Sequence, residues 1–438
     1  MSKILISGAL IVPLSEAGPE YFYGDLMVEG DRIAALTRYP ERLDPAGTAR
    51  VIDARNLLLM PGLVNTHGHA AMSLLRSYAD DLPLKDWLEQ KIWPVEAGLE
   101  GDDVYWGTLL SIAEMLKGGT TTFTDMYFFM DRVAEAAAES KIRAVLSRGL
   151  VGVTGSGSEA LRESEDFIKR WHGCENGRIS VTLGPHAPYT CPPDFLREIM
   201  AAAGRTGRPM QIHLAETAGE VESCLQEHGC TPIQLVHNLG LFDYPVIAAH
   251  CVHINDADIA ILAEHHVGVA HNPGSNLKLG SGIAPLVKML EAGVRVGLGT
   301  DGASSNNNLD LMEEMRLAAL LAKGAAQEPT LIPAKTALRL ATVEGAATLS
   351  LPGVGRLAVG SKADLIGLNL NKPHLVPLHD PPAHLVYAAS AADVELVLVD
   401  GTVLVENGAL TLLDEEKIKA EASRRAMRLT GRERSEPA

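Results

Sequence analysis

The chain has 438 residues, 46% hydrophobic and 21% charged, a composition that excludes a disordered, collagenous or coiled-coil protein and leaves room for up to about three domains. Its 38 Lys and Arg against 55 Asp and Glu give a formal charge of -17, which repels a phosphate backbone and argues against nucleic acid as a partner. No apolar run reaches the roughly 18 residues of a membrane-spanning helix, so no membrane partner is expected either.

Lys3 and the apolar stretch 4–14 have the outline of a targeting segment, but no small-residue cleavage site precedes Glu16 and Glu20, so a signal peptide is not expected. Residues 1–58 carry short strands punctuated by the turn signals Ser7-Gly8 and Glu29-Gly30-Asp31. From about residue 60 to 350, short β-branched or apolar runs alternate with longer helical patterns, the signature of repeated βα units. The predicted strands are 63–66, 120–125, 143–147, 179–184, 210–214, 246–249, 267–270 and 294–299. Between them the apolar spacing predicts helices over 102–117, 131–140, 193–203, 219–227, 256–265 and 309–323. Eight such units close most economically into a (β/α)8 barrel over 59–353. Segments 356–368 and 394–405, with a turn at Asp400-Gly401, repeat the style of the N-terminus, so 1–58 and 354–438 are expected to pair as one small composite β-sandwich domain. A charged helix is expected after Glu415, fraying over 432–438. The five cysteines are odd in number and form no Cys-x-x-Cys pair, which argues against a disulfide framework or a thiolate zinc cage and makes the reducing cytoplasm the expected compartment.

The chemistry is written at the strand ends. The first predicted strand runs into His67-Gly68-His69, the fourth into His186, the fifth into His213 and Glu216, the sixth into His250, the seventh into His271 and the eighth into Asp301. A barrel gathers the C-terminal ends of its strands at one rim, so six strands aim an imidazole or carboxylate at a common point. His67 and His69 leave the same face of an extended segment, and with His213 and Asp301 they supply three nitrogens and one oxygen, the donor set of an open catalytic metal site. The expected cofactor is one divalent metal per chain, Zn2+. Such an ion acidifies water; Asp301 and His250 are placed to take its proton, and Glu216 to deliver one to a ring nitrogen. Glu216 read blandly is a helix-start carboxylate, and His250 a core histidine bonded to backbone.

The motif MPGLVNTHGH at 60–69, with His213, His250, Gly299-Thr300-Asp301 and the closing GRLAVGSKADL at 355–365, resembles the amidohydrolase superfamily over nearly the whole chain. The resemblance implies a barrel with a β-sandwich built from both termini, which agrees with the element count. Binuclear members bridge two metals with a lysine after strand four; His186 stands here without one, which favours a single metal. His213-x-x-Glu216 resembles the deaminase pattern. Residues 70–84, Trp87, IWPVE at 92–96 and GPHAPYTC at 184–191 resemble the branch that deaminates 6-aminopurine nucleosides altered at the 5′ end, namely 5′-methylthioadenosine and S-adenosylhomocysteine. That resemblance implies that Glu96 binds the ribose hydroxyls, His186 the purine and Arg148 the substrate, a small-molecule nucleoside that Glu216 and Asp301 also contact. Glu96 read blandly is a loop acid, and Arg148 a structural partner of Asp125. A second substrate arginine has no firm match, Arg162 being nearest. Rival substrates are guanine, 8-oxoguanine, a pyrimidine or a triazine, and a non-catalytic scaffold is a further alternative. Trp87, Trp93 and Tyr78 read as packing, Cys251 as inert, His265, His266 and His271 as structural or supporting, and 152–157 as a mobile loop. A homodimer or homotetramer is expected.

Overall fold

The computed structural model describes residues 3–15 and 18–431; the tail 432–438, expected to fray, lies outside the described residues. Eight parallel strands form a barrel in strict chain order: Leu63–Asn65, Thr120–Tyr127, Arg143–Leu150, Ile179–Pro185, Met210–Leu214, Val246–His250, Gly268–His271 and Arg295–Leu298. Their residues are buried almost without interruption, as expected of strands covered by side chains within and helices outside. The ring is drawn shut between the first and last strands, where Thr66 N donates to Leu298 O at 2.9 Å and Asp301 N to His67 O at 3.1 Å. The second of these bonds ties together the backbones of His67 and Asp301, two of the predicted site residues.

The helices Gly101–Lys117, Met130–Ser140, Pro193–Thr206, Ala218–His228, Asp256–Glu264 and Leu311–Ala326 fall where apolar spacing predicts them. Gly157–Trp171 is an addition: the glycine-rich 152–157 is a short loop that ends by starting this helix, with Ala160, Leu161 and Phe167 buried. The segment 84–96 between the first strand and its helix is also helical, in short turns, and lies across the barrel mouth. Among the described residues no helix is long and apolar enough to cross a membrane.

The terminal segments build one continuous nine-stranded sheet. Its seam is Leu57–Pro61, which pairs in parallel with Lys3–Ile11 and antiparallel with Leu365–Asn369. Ile6, Ile11, Leu26, Leu59, Leu365 and Leu398 pack as its core. Of the predicted strand 356–368 only the end is a strand. Gly355 at φ 85° and Gly360 at φ 85° turn the chain aside, and a Cβ on Gly355 would lie 2.7 Å from Thr342 O.

An ion cluster fastens this sheet to the foot of the barrel. Arg143, at the start of the third barrel strand, donates to Asp364 at 2.8 and 3.2 Å and to Asp400, while Lys362 reaches Asp400 at 3.1 Å. Arg143, Asp364 and Asp400 are all buried. Removing the cation leaves buried Asp364 without an ion-pair partner, while Lys362 still reaches Asp400, so Arg143→Met is expected to cost about 3 kcal/mol, read as a lower midpoint in urea denaturation. An unchanged midpoint would show that the cluster contributes nothing net.

Candidate active site

Two of the imidazoles at the rim are each aimed by a backbone carbonyl on the far side of the ring. A carbonyl oxygen only accepts, so the ring nitrogen facing it carries the proton and the other nitrogen keeps its lone pair. His69 Nδ1 donates to Met126 O at 2.7 Å, and His213 Nδ1 donates to His186 O at 2.7 Å. Their two Nε2 atoms, both unprotonated by this reading, face each other at 3.4 Å. His67 is 1% exposed, and its Nε2 has no hydrogen-bond partner. Asp301 completes the group: Oδ1 lies 3.2 Å from His69 Nε2 and 3.5 Å from His67 Nε2. Lone pairs converging in a dry site repel unless a cation lies among them. An unpartnered buried imidazole nitrogen, two opposed Nε2 atoms and a carboxylate oxygen fit a divalent metal.

Asp301 is itself held. Its Oδ2 accepts from Ser275 Oγ at 2.6 Å and Ser305 Oγ at 2.7 Å, which leaves Oδ1 for the centre. His250 joins from the sixth strand, with Nδ1 2.8 Å from Asn276 Oδ1 and Nε2 3.9 Å from Glu216 Oε2.

Glu216 is 5% exposed, and burial raises its pKa. The backbone before it bends sharply, with Ala215 at φ 51°, and is tied down by Glu220, whose carboxylate accepts from Ala215 N at 2.9 Å and Glu216 N at 2.8 Å. Thr217 caps the next helix by accepting from Glu220 N at 3.1 Å. Glu220 therefore stretches an ordinary capping arrangement back to the segment that carries Glu216. Left-handed backbone recurs at the rim: His250 has φ 71° and Asp301 φ 62°.

These groups floor a cavity of about 530 Å3 whose walls include every predicted site residue except buried His67. Glu96 reaches it from the helical segment over the mouth and accepts from Tyr127 OH at 2.6 Å; burial pushes its carboxyl up. His186, with Nδ1 2.8 Å from Thr190 Oγ1, is pushed down to about 4 by burial and is neutral. Arg148 lines the wall but does not pair with Asp125, which instead accepts from Ala70 N. Its partner is Glu163, at 3.3 Å.

Trp87 and Trp93 line the cavity, whereas Tyr78 does not. Arg162 is exposed and off the wall, so among the described residues the cavity holds no second arginine. His271 is buried off the wall, and His265 faces Phe242 O instead. Burial pushes the Cys251 thiol up, which makes it a poor nucleophile. Sequence reasoning missed Tyr127, Ser275, Ser305, Asn276 and Glu220. Only Glu220 left a signal, the Thr217-x-x-Glu220 capping spacing.

The sequence profile of the Amidohydrolase family matches residues 58–404. The chain belongs to this family. A curated 5-methylthioadenosine/S-adenosylhomocysteine deaminase of Pelotomaculum thermopropionicum is 50% identical over 436 residues, 99% of this chain and 100% of its own. The crystal structure of an adenosine deaminase from Xanthomonas campestris with bound zinc superposes with a TM-score of 0.93 at 34% identity, over 98% of this chain and 99% of that one. An atrazine chlorohydrolase from Arthrobacter aurescens, complexed with zinc, superposes with a TM-score of 0.89 at 27% identity, over 97% and 100% of the two chains. Family members thus carry different leaving-group chemistry on one scaffold, and the substrate must be argued from the walls of the cavity.

Proposed function

We propose that the chain is a metal-dependent hydrolytic deaminase of 6-aminopurine nucleosides, converting 5′-methylthioadenosine and S-adenosylhomocysteine to their inosine analogues and ammonia. The carrying observation is a single cavity that joins a three-nitrogen, one-oxygen donor set to the buried acid Glu216 and, on its wall, to Glu96. The full-length relative of 50% identity supports the same activity. His67, His69, His213 and Asp301 would hold one divalent ion. Zn2+ suits this donor set and is the ion in the Xanthomonas enzyme.

When bound, the ion acidifies a water toward a pKa of about 7. Every other step belongs to the chain. Burial keeps Glu216 protonated further up the pH scale than an ordinary carboxyl, so it can hand its proton to a purine ring nitrogen and make the adjacent carbon electrophilic. Asp301, with His250, takes the proton of the adding water and passes it to the amino group so that ammonia leaves, while the proton of the new hydroxyl returns to Glu216. Neutral His186 faces the base as a hydrogen-bond partner. Glu96 accepts from the two ribose hydroxyls, and Arg148 stands toward the 5′ substituent. A free base or a triazine would leave Glu96 with nothing to bind.

Ammonia release and purine absorbance, followed on metal-replete protein with adenosine, methylthioadenosine, S-adenosylhomocysteine, adenine and guanine, test this. The 5′-substituted nucleosides are expected to turn over ahead of adenosine. Turnover of a free base with silence across the nucleosides would keep the metal chemistry and overturn the substrate assignment.

A further inference from the structure

Arg148 is the only lysine or arginine among the described residues that line the cavity, and the protein has already spent two sides of its guanidinium. Nη1 donates to the carbonyl of Gly149, and Nε donates to Glu163 Oε2 at 3.3 Å. The group lies over the Phe128 ring at 5.1 Å, so its plane is held. Both Nη2 hydrogens and one Nη1 hydrogen are left over, next to a carboxylate. Glu163 stands one turn beyond Ala160 on the helix Gly157–Trp171; Ala160 is on the cavity wall, and Glu163, off the wall with its side chain 58% exposed, lies behind Arg148.

A cation on the wall of a nucleoside cavity with an anion beside it has the charge pattern of an α-amino acid, reversed. We propose that Glu163 is a specificity-determining residue that binds the α-ammonium group of an amino-acid tail on the 5′ substituent, while Arg148 Nη2 takes the α-carboxylate. The inference rests on the nucleoside deaminase reading above. A surface ion pair of this kind contributes little by itself, so opening it is cheap, and a zwitterion restores both charges at once. A lone carboxylate on the substrate would meet Arg148 with Glu163 still alongside and be repelled. An uncharged thioether leaves the pair undisturbed and packs beside Val151, Val153 and Ala160. The pocket thereby accepts a neutral or a zwitterionic tail and disfavours a purely anionic one.

The test uses metal-loaded full-length protein, parent and Glu163→Gln, with three thioether nucleosides: methylthioadenosine, S-adenosylhomocysteine, and an analogue whose tail keeps the carboxylate and lacks the amine. Glu163→Gln is expected to lower kcat/KM for S-adenosylhomocysteine about tenfold, through KM, while methylthioadenosine stays within about twofold and the amine-free analogue improves. Glu163→Asp, which keeps the charge, is expected to recover part of the loss. A rise for S-adenosylhomocysteine in step with the amine-free analogue would show that Glu163 merely competes for Arg148 and would overturn the proposal. So would an equal loss on all three substrates, which marks damage to the helix. A parent protein silent on every nucleoside would instead overturn the deaminase reading itself.

Discussion

Glu216→Gln is expected to retain its metal and lose about 10²- to 10⁴-fold in kcat. The amide has the shape of the acid and keeps the side chain in its buried place, 5% exposed beside His250, but it has no proton of suitable acidity to give the purine ring. Its backbone stays anchored, because the bonds to Glu220 come from the main-chain nitrogens of residues 215 and 216 rather than from the substituted group. The loss should therefore fall on kcat with metal content unchanged, and steady-state rates with elemental analysis of the same preparation check both. Near-parental turnover would remove Glu216 from the mechanism.

His213→Ala is expected to fail differently, with metal content falling below one ion per chain and turnover falling to background. His213 is one of three imidazoles that meet within a few ångströms, and its Nε2 stands 3.4 Å from that of His69. Ala at this position leaves two nitrogens and one carboxylate oxygen, and the geometry no longer encloses an ion. Elemental analysis after dialysis reads the first effect and ammonia release the second. Stoichiometric metal in a folded His213→Ala protein would show that the ion is held elsewhere. Together the two variants separate holding the metal from moving the proton.

The barrel was legible because parallel strands buried on both faces read as apolar runs, and each such run ended in a residue that chemistry would choose. His67, His69, His213 and Asp301 could be grouped before any coordinates because a barrel brings strand ends together whatever lies between them. The groups that aim them were not legible. Ser275 and Asn276 act through one hydrogen bond each from the short helix Pro273–Lys278 and Ser305 from a turn, and no periodicity marks such a side chain as an orienting group. The helix Gly157–Trp171 did carry a signal, in Ala160, Leu161, Phe167 and Ile168, but the glycines before it drew attention to a loop. Arg148 shows the limit of pairing arguments from sequence, since proximity of strands suggested Asp125 where the fold supplies Glu163 from the next helix.

The seam strand Leu57–Pro61 sets an order of events during synthesis. One of its edges can meet Lys3–Ile11, already made, as soon as it emerges, but the other waits for Leu365–Asn369, about 300 residues later. At roughly 5–20 residues per second that interval is about 15–60 s, during which the whole barrel emerges and an apolar strand edge stands unpaired. The ribosome therefore exposes this apolar strand edge for longer than the helices take to form, and it is covered only by a strand made after the whole barrel.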